Sequence, residues 1–223
     1  ELFFKLKDKI MNILVAGAHG KTGLQIVEYL VEQEHNVRAM IRDGSQSKQM
    51  EERGALPYIA DLERDVEFAV EGSDVVIFAA GSGPDTGEDK TWAIDRDGAL
   101  KLIDACERNG VGRFILLSSV GTDKPEEGPE KMQAYLKAKS ESEEILRKSK
   151  LNYTIVRPGM LNNDPESGNI IAQESLEGKM GQISRSDVAL TIAKSVQNPN
   201  TFHKTFEMIG GGNEDIDTAL NKL

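Results

Sequence analysis

Residues 12–23 read Asn-Ile-Leu-Val-Ala-Gly17-Ala-His19-Gly20-Lys21-Thr22-Gly23. The apolar run from Ile13 to Ala16 describes a strand buried on both faces. It enters three glycines spaced Gly-x-x-Gly-x-x-Gly, and a helical pattern follows over residues 22–34. Strand, glycine turn and helix in this order make an anion cradle. Gly17 permits the tight turn, Gly20 lets the backbone approach a pyrophosphate, and Gly23 lets the helix pack on the strand. The phosphates then rest on free N–H groups at the positive end of the helix, beside His19, Lys21 and Thr22. Gly20-Lys21-Thr22 also ends like a nucleoside-triphosphate loop, but that loop needs a glycine where Val15 stands. The turn therefore predicts a dinucleotide.

Working outward, further strands are expected over residues 36–41, 56–59, 75–79, 113–117 and 153–157. Helical patterns lie between most of them, at about residues 45–53, 65–71, 93–109 and 132–148. Continuous apolar strands alternating with helices imply an α/β protein with a doubly wound parallel sheet, the Rossmann fold. After Pro158 the pattern weakens to a loop over 161–168, a strand at 182–183, a helix over 186–196, a strand over 206–209 and a closing helix over 214–223. Ser184 or Ser186 is expected to cap the helix before Val188, with Asp187 in its first turn. The expected division is an N-terminal extension over 1–10, where Phe3 and Phe4 either dock as a short helix or are a leftover, followed by one domain over 11–223. Its cofactor part covers about 11–158 and a small substrate-side part 159–223.

Composition narrows the setting. A chain of 223 residues with 39% hydrophobic content can bury one domain core. No apolar run reaches the roughly 18 residues of a membrane helix, and no signal peptide is read. A net charge of −10 opposes a phosphate backbone, so neither nucleic acid nor membrane is an expected partner. The single cysteine, Cys106, cannot form an internal disulfide, which points to a reducing cytoplasm. His19, His35 and His203 are scattered, and no metal site is expected.

Sites for NAD place an acidic residue at the end of the second strand, on the ribose 2′-hydroxyl. Here that position carries Arg42, whose guanidinium suits a 2′-phosphate. NADP is therefore the expected cofactor, with Lys21 and Lys48 as further phosphate contacts, while Asp43 keeps NAD open. Downstream, Tyr135-Leu-Lys-Ala-Lys139 puts a phenol and an ammonium one helical turn apart on one face. A phenol near pKa 10 is a poor base at neutral pH, and an adjacent ammonium favours its phenolate. The same lysine can hold a nicotinamide ribose. The alternative is a tyrosine that merely packs.

The glycine turn, Arg42, Asp61-Leu62, Ala80-Gly81, Asp95-x-x-Gly98, Gly112-Arg-Phe, Ser118-Ser119, Tyr135/Lys139 and Arg157-Pro158-Gly159 occur in this order. Together they resemble the atypical short-chain dehydrogenase/reductases, in particular the NmrA-like and sugar-epimerase-like NAD(P)-binding proteins. The resemblance implies that Asp61 and Leu62 border the adenine, that Ala80 and Gly81 pass the cofactor ribose, and that Pro158 lies beside the nicotinamide. It assigns carbonyl polarisation to Ser119 with Ser118 as its substitute, acid/base work to Tyr135 and support to Lys139, and it counts Ser118 and Lys139 among the cofactor contacts. A charged segment, 122–131, separates Ser119 from Tyr135 and departs from the usual spacing.

The implied activity is NADP-dependent hydride transfer with a small carbonyl, quinone or flavin-like acceptor. The alternatives are a non-catalytic NADP sensor and a nucleotide-sugar epimerase or dehydratase with bound NAD. The portion after Pro158 is short for a sugar nucleotide, so a small-molecule substrate is expected, with loops 81–91 and 161–177 shaping its pocket. A monomer is expected, the alternative being a homodimer through helices 93–109 and 132–148.

Overall fold

A computed structural model describes residues 9–83 and 86–223; the expectation for Phe3 and Phe4 lies outside them. The elements in chain order are β1 (Asn12–Ala16), α1 (Lys21–Glu32), β2 (Asn36–Ile41), α2 (Ser47–Glu51), β3 (Leu56–Ile59), α3 (Glu67–Val70) and β4 (Val75–Phe78). There follow α4 (Glu88–Thr91), a π-helical segment (Trp92–Gly98), α5 (Ala99–Arg108), β5 (Arg113–Leu117), α6 (Glu130–Lys148) and β6 (Asn152–Pro158). The chain closes with β7 (Met160–Asn162), β8 (Asn169–Gln173), β9 (Gln182–Ser184), α7 (Arg185–Ser195), β10 (Lys204–Gly210), β11 (Glu214–Asp215) and α8 (Ile216–Leu220).

The described residues form a nine-stranded sheet in the order β11-β8-β10-β6-β5-β4-β1-β2-β3, with β7 and β9 paired apart from it. From β3 to β10 every neighbouring pair is parallel. The order reverses between β1 and β4, and in such sheets ligands bind at that crevice, beyond the carboxyl ends of the strands. β4 and β5 are buried throughout, as expected of strands covered on both faces. Ile13 and Val15 pack with Ile26, Val27 and Leu30 of α1 and with Val188 and Ile192 of α7. Leu14 and Ala16 face the opposite core, with Phe78, Leu102, Ile103 and Leu146. Each fully buried aliphatic side chain contributes roughly 1.5–3 kcal/mol, so the two cores hold the β1–α1 turn from both sides.

The structure departs from the sequence reading mainly after Pro158. An antiparallel strand, β8, lies in the segment expected to be loop and pairs with β10 and β11. The expected closing helix begins with β11 and is helical only from Ile216. Residues 159–223 thus complete the main sheet and cover α1 through α7. Ser184 caps α7 by accepting from the Asp187 N–H, while the Ser186 hydroxyl turns to Tyr29 at 2.7 Å. Asp187 in turn accepts from Ser167 and Gly168, which anchors the loop over 161–168. The helix expected over 93–109 starts earlier and widens into the π segment before α5. Among the described residues no helix is long and apolar enough to cross a membrane.

Candidate functional site

The glycine turn sits at the switch between β1 and β4. Gly17 has φ +82°, and a Cβ there would come within 2.6 Å of the Ala80 backbone. Only glycine lets the β1 turn lie against the end of β4. The Gly20 N–H closes the turn on the Gly17 carbonyl at 3.0 Å. A Cβ at Gly23 would collide with that same carbonyl, so the third glycine lets α1 start this close to the strand. The N-terminus of α1 has no side-chain cap and no acidic residue in its first turn. Its amides and dipole thus present an anion site at the mouth of the switch point. This cradle fits a dinucleotide pyrophosphate. His19, Gly20 and Lys21 are exposed around it, whereas Thr22 is buried against the body. His19 meets Gln46 at 3.2 Å, linking the turn to the segment after β2.

At the end of β2, Arg42 is exposed. Asp43, the residue that would favour NAD, is exposed beside it. Its carboxylate accepts the Ser45 N–H at 2.8 Å, and the Ser45 hydrogen bonds hold its pKa below the usual carboxylate value. Lys48 leans to Glu52 at 3.8 Å along its own helix. Asp61 accepts from the Glu63 N–H at 3.0 Å. Leu62 is a core residue packed beneath Gly98, where an added Cβ would lie 3.0 Å from its own Cβ. Its side chain packs into the second core at the β3 end of the sheet.

The ends of β4, β5 and β6 form the other half of the mouth. Ala80 backs onto Gly17, and Gly81 is exposed. The Pro158 carbonyl accepts from the Val120 N–H at 3.1 Å, joining the β5 and β6 ends. Ser119 is half-buried and donates to the Val120 carbonyl at 3.1 Å. Ser118 is not available as its substitute, because its buried hydroxyl donates to Glu143 at 2.5 Å.

Tyr135, Lys139, Glu143 and Arg147 follow at four-residue intervals along α6 and share one face. Tyr135 is half-buried and makes no hydrogen bond among the described residues. Burial raises its pKa above the usual 10.0; the Lys139 charge opposes the rise, and Asp95 and Glu143 reinforce it. The Lys139 charge thus acts in the expected direction, and burial outweighs it. Lys139 is only 2% exposed. Its ammonium reaches Asp95 at 3.2 Å and the carbonyls of Leu117 at 3.1 Å and Ala80 at 3.3 Å. The two carbonyls accept hydrogen bonds from the ammonium, whereas the Asp95 contact is an ion pair whose Oδ1 has no hydrogen-bond partner among the described residues.

Two carboxylates that the sequence reading did not assign govern this wall. One is Asp95. The other is Glu143, fully buried, which accepts from Ser118, from Thr122 at 2.8 Å, and from Arg157 at 3.1 and 2.6 Å. Arg147 joins it at 2.7 Å. Burial alone would raise the Glu143 pKa, but the Arg157 guanidinium and the Ser118 and Thr122 hydroxyls outweigh it and hold it below 4.5. The four-residue spacing from Lys139, continuing the stripe that starts at Tyr135, was the signal available for Glu143. The thiol of Cys106 is buried and pushed well above its usual pKa by that burial, which makes it core packing.

Comparisons with known proteins agree with this geometry. Residues 17–199 match the family described as NAD(P)H-binding. The chain is 39% identical over 217 residues to the uncharacterized sugar epimerase YhfK of Bacillus subtilis, covering 96% of this chain and 100% of the relative. A solved structure from Bacillus halodurans, named for an NAD-dependent epimerase/dehydratase, superposes with a TM-score of 0.93 at 42% identity, covering 96% of this chain and 100% of that one. The oxidoreductase ylbE from Lactococcus lactis follows with a TM-score of 0.85 at 27% identity, covering 96% of each chain.

Proposed function

The chain belongs to the NAD(P)H-binding family of atypical short-chain dehydrogenase/reductase-like proteins, and from that premise we propose that it is an NADP-dependent oxidoreductase working in the reductive direction on a small carbonyl, quinone or flavin-like acceptor. The observation that carries the reading is geometric: the glycine turn lies against the end of β4 at the switch point, and Tyr135 is half-buried beside Lys139 on the same face of α6 at the β4 and β5 ends. The Gly17–Gly23 turn and the N-terminus of α1 would hold the pyrophosphate, and Arg42 the 2′-phosphate. When bound, the nicotinamide supplies the hydride. Tyr135 donates its proton to the oxygen or nitrogen of the acceptor that gains negative charge. Ser119 lies at the β5 end, where rotation away from the Val120 carbonyl lets its hydroxyl orient the acceptor.

Replacing Tyr135 by Phe removes the donated proton and leaves the ring in place. Turnover should fall at least about tenfold, with NADPH affinity unchanged, because positioned general acids commonly contribute 10²–10⁴-fold. Unchanged turnover would remove the tyrosine from the mechanism. Since burial raises its pKa from the ordinary tyrosine value, wild-type turnover should show no loss from Tyr135 deprotonation between about pH 6 and 9.

Arg42→Ala tests the cofactor preference separately. A charge-assisted bond to phosphate is worth about 1.5–3 kcal/mol, so NADPH affinity should drop about tenfold or more while NADH affinity stays the same. Equal losses for both cofactors would place Arg42 outside the 2′-phosphate site.

The name of the Bacillus subtilis relative favours a second reading, a sugar epimerase with permanently bound NAD. Tightly held NAD released on denaturing the purified protein would support it over the reductase.

A further inference from the structure

We propose that Lys90 is a second residue selecting the phosphorylated dinucleotide: Glu63 holds it across the adenosine end of the cleft, and the 2′-phosphate takes it over from that carboxylate. The inference deepens the proposed function and rests on its NADP site.

The ends of β2 and β3 lie side by side. Ile41 pairs with Ile59, and the Ala60 N–H donates to the Ile41 carbonyl at 3.0 Å. Arg42 therefore stands beside the turn that follows β3. That turn closes on Asp61, whose carbonyl accepts the Arg64 N–H at 2.9 Å and whose carboxylate accepts the Glu63 N–H at 3.0 Å. The short helix α4 arrives from the opposite wall, after β4. Its last residue, Thr91, is buried, and its hydroxyl meets that of Ser82 at 3.2 Å. Lys90, next to it, spans the gap between the walls. Its ammonium donates to both Glu63 oxygens, at 2.6 and 2.9 Å.

The Glu63 hydrogen bond and charge raise the Lys90 pKa, and the charge of Arg42 opposes that rise, so the two cations stand within each other's field. A phosphate on Arg42 would meet Lys90 as well, with Glu63 behind it. A phosphate monoester carries nearly two negative charges against the carboxylate's one, so the lysine gains by exchanging partners. Leaving Glu63 costs little. The Lys90 side chain is 46% exposed and that of Glu63 31%, and exposed ion pairs shift an equilibrium by less than about fivefold. The flexible lysine stem can swing while Thr91 keeps the backbone in place. Glu63 is then a brake, competing for Lys90 and repelling the phosphate, and the two partners should have opposite effects on affinity.

Titration of the full chain with NADPH and NADH, followed by nicotinamide fluorescence, tests this in Lys90→Met and Glu63→Gln. Lys90→Met should weaken NADPH binding at least about fivefold and leave NADH within about twofold of wild type. Glu63→Gln should tighten NADPH binding about threefold or more, again with NADH unchanged. Raising the salt from about 0.05 to 0.5 M should shrink both effects, because the charges are exposed. An NADPH-to-NADH affinity ratio that Lys90→Met leaves at the wild-type value would overturn the inference. So would a Glu63→Gln variant that loses affinity for both cofactors as Lys90→Met does, because the pair would then only fasten α4 to the β3 turn. Those two results leave the proposed function standing. A wild type that binds NADPH no more tightly than NADH would overturn the NADP preference and this inference together.

Discussion

Glu143→Ala is expected to cost about 3–5 kcal/mol of stability, the range for removing one partner of a buried ion pair. In a chain of this size that corresponds to a fall in melting temperature of about 10 °C or more. The cause is specific. Ser118 and Thr122 each donate to this one carboxylate, and so do the guanidinium groups of Arg157 and Arg147. Truncation leaves Arg157 buried without its closest counter-charge, since Asp123 stands 3.9 Å away. The β5 and β6 ends, which carry Ser119 and Pro158, lose their common anchor. Glu143→Gln keeps the shape and one acceptor oxygen, so it should lose less. The folded-state pKa of Glu143 is depressed below the ordinary value. Its contribution is therefore complete above the unfolded carboxylate pKa and is lost as pH falls through the lower folded value. Thermal melts from pH 7 to pH 3 should show a steeper acid decline in the wild type than in Glu143→Gln. Equal slopes would mean that Glu143 is not the acid-sensitive group.

Gly17→Val should abolish dinucleotide binding and destabilise the fold together. The native φ of +82° costs a β-branched residue of order 1–3 kcal/mol by itself. The added Cβ also meets backbone, the Ala80 nitrogen and Cα at 2.6 Å, and neither can rotate away. The clash is relieved only by parting the β1 turn from β4, which are the two sides of the switch point. NADPH affinity should fall by about a hundredfold or more, and the melting temperature should drop with it. Gly20→Ala is the informative contrast. Its Cβ would stand 3.2 Å from the Gly17 carbonyl at an ordinary backbone conformation, so stability should be retained while binding weakens. If Gly17→Val binds NADPH normally, the pyrophosphate lies elsewhere.

The parallel half of the sheet was legible because its central strands are largely apolar, β4 throughout, and helices separate them. Ile13 to Ala16 leading into Gly17 needed no tertiary information. Legibility failed where pairing is antiparallel. Asn169–Gln173 has only Ile170 fully buried, so neither alternation nor a continuous run marked it as a strand. The π segment was invisible because nothing in its residues distinguishes it from ordinary helix. Tyr-x-x-x-Lys likewise did not reveal Asp95 beside Lys139. A four-residue spacing reports which face of a helix a side chain shares, and says nothing of the carboxylate waiting for it. Ser118 was misjudged as a spare catalytic hydroxyl for want of Glu143, which lies on the very stripe that made Tyr135 and Lys139 noticeable.

The most direct test is titration of the purified chain with NADPH and NADH, followed by nicotinamide fluorescence. The account predicts saturable binding with NADPH at least about tenfold tighter, the worth of one charge-assisted phosphate contact at Arg42. Equal affinities, or a preference for NADH, would contradict an NADP-dependent reductase built on Arg42.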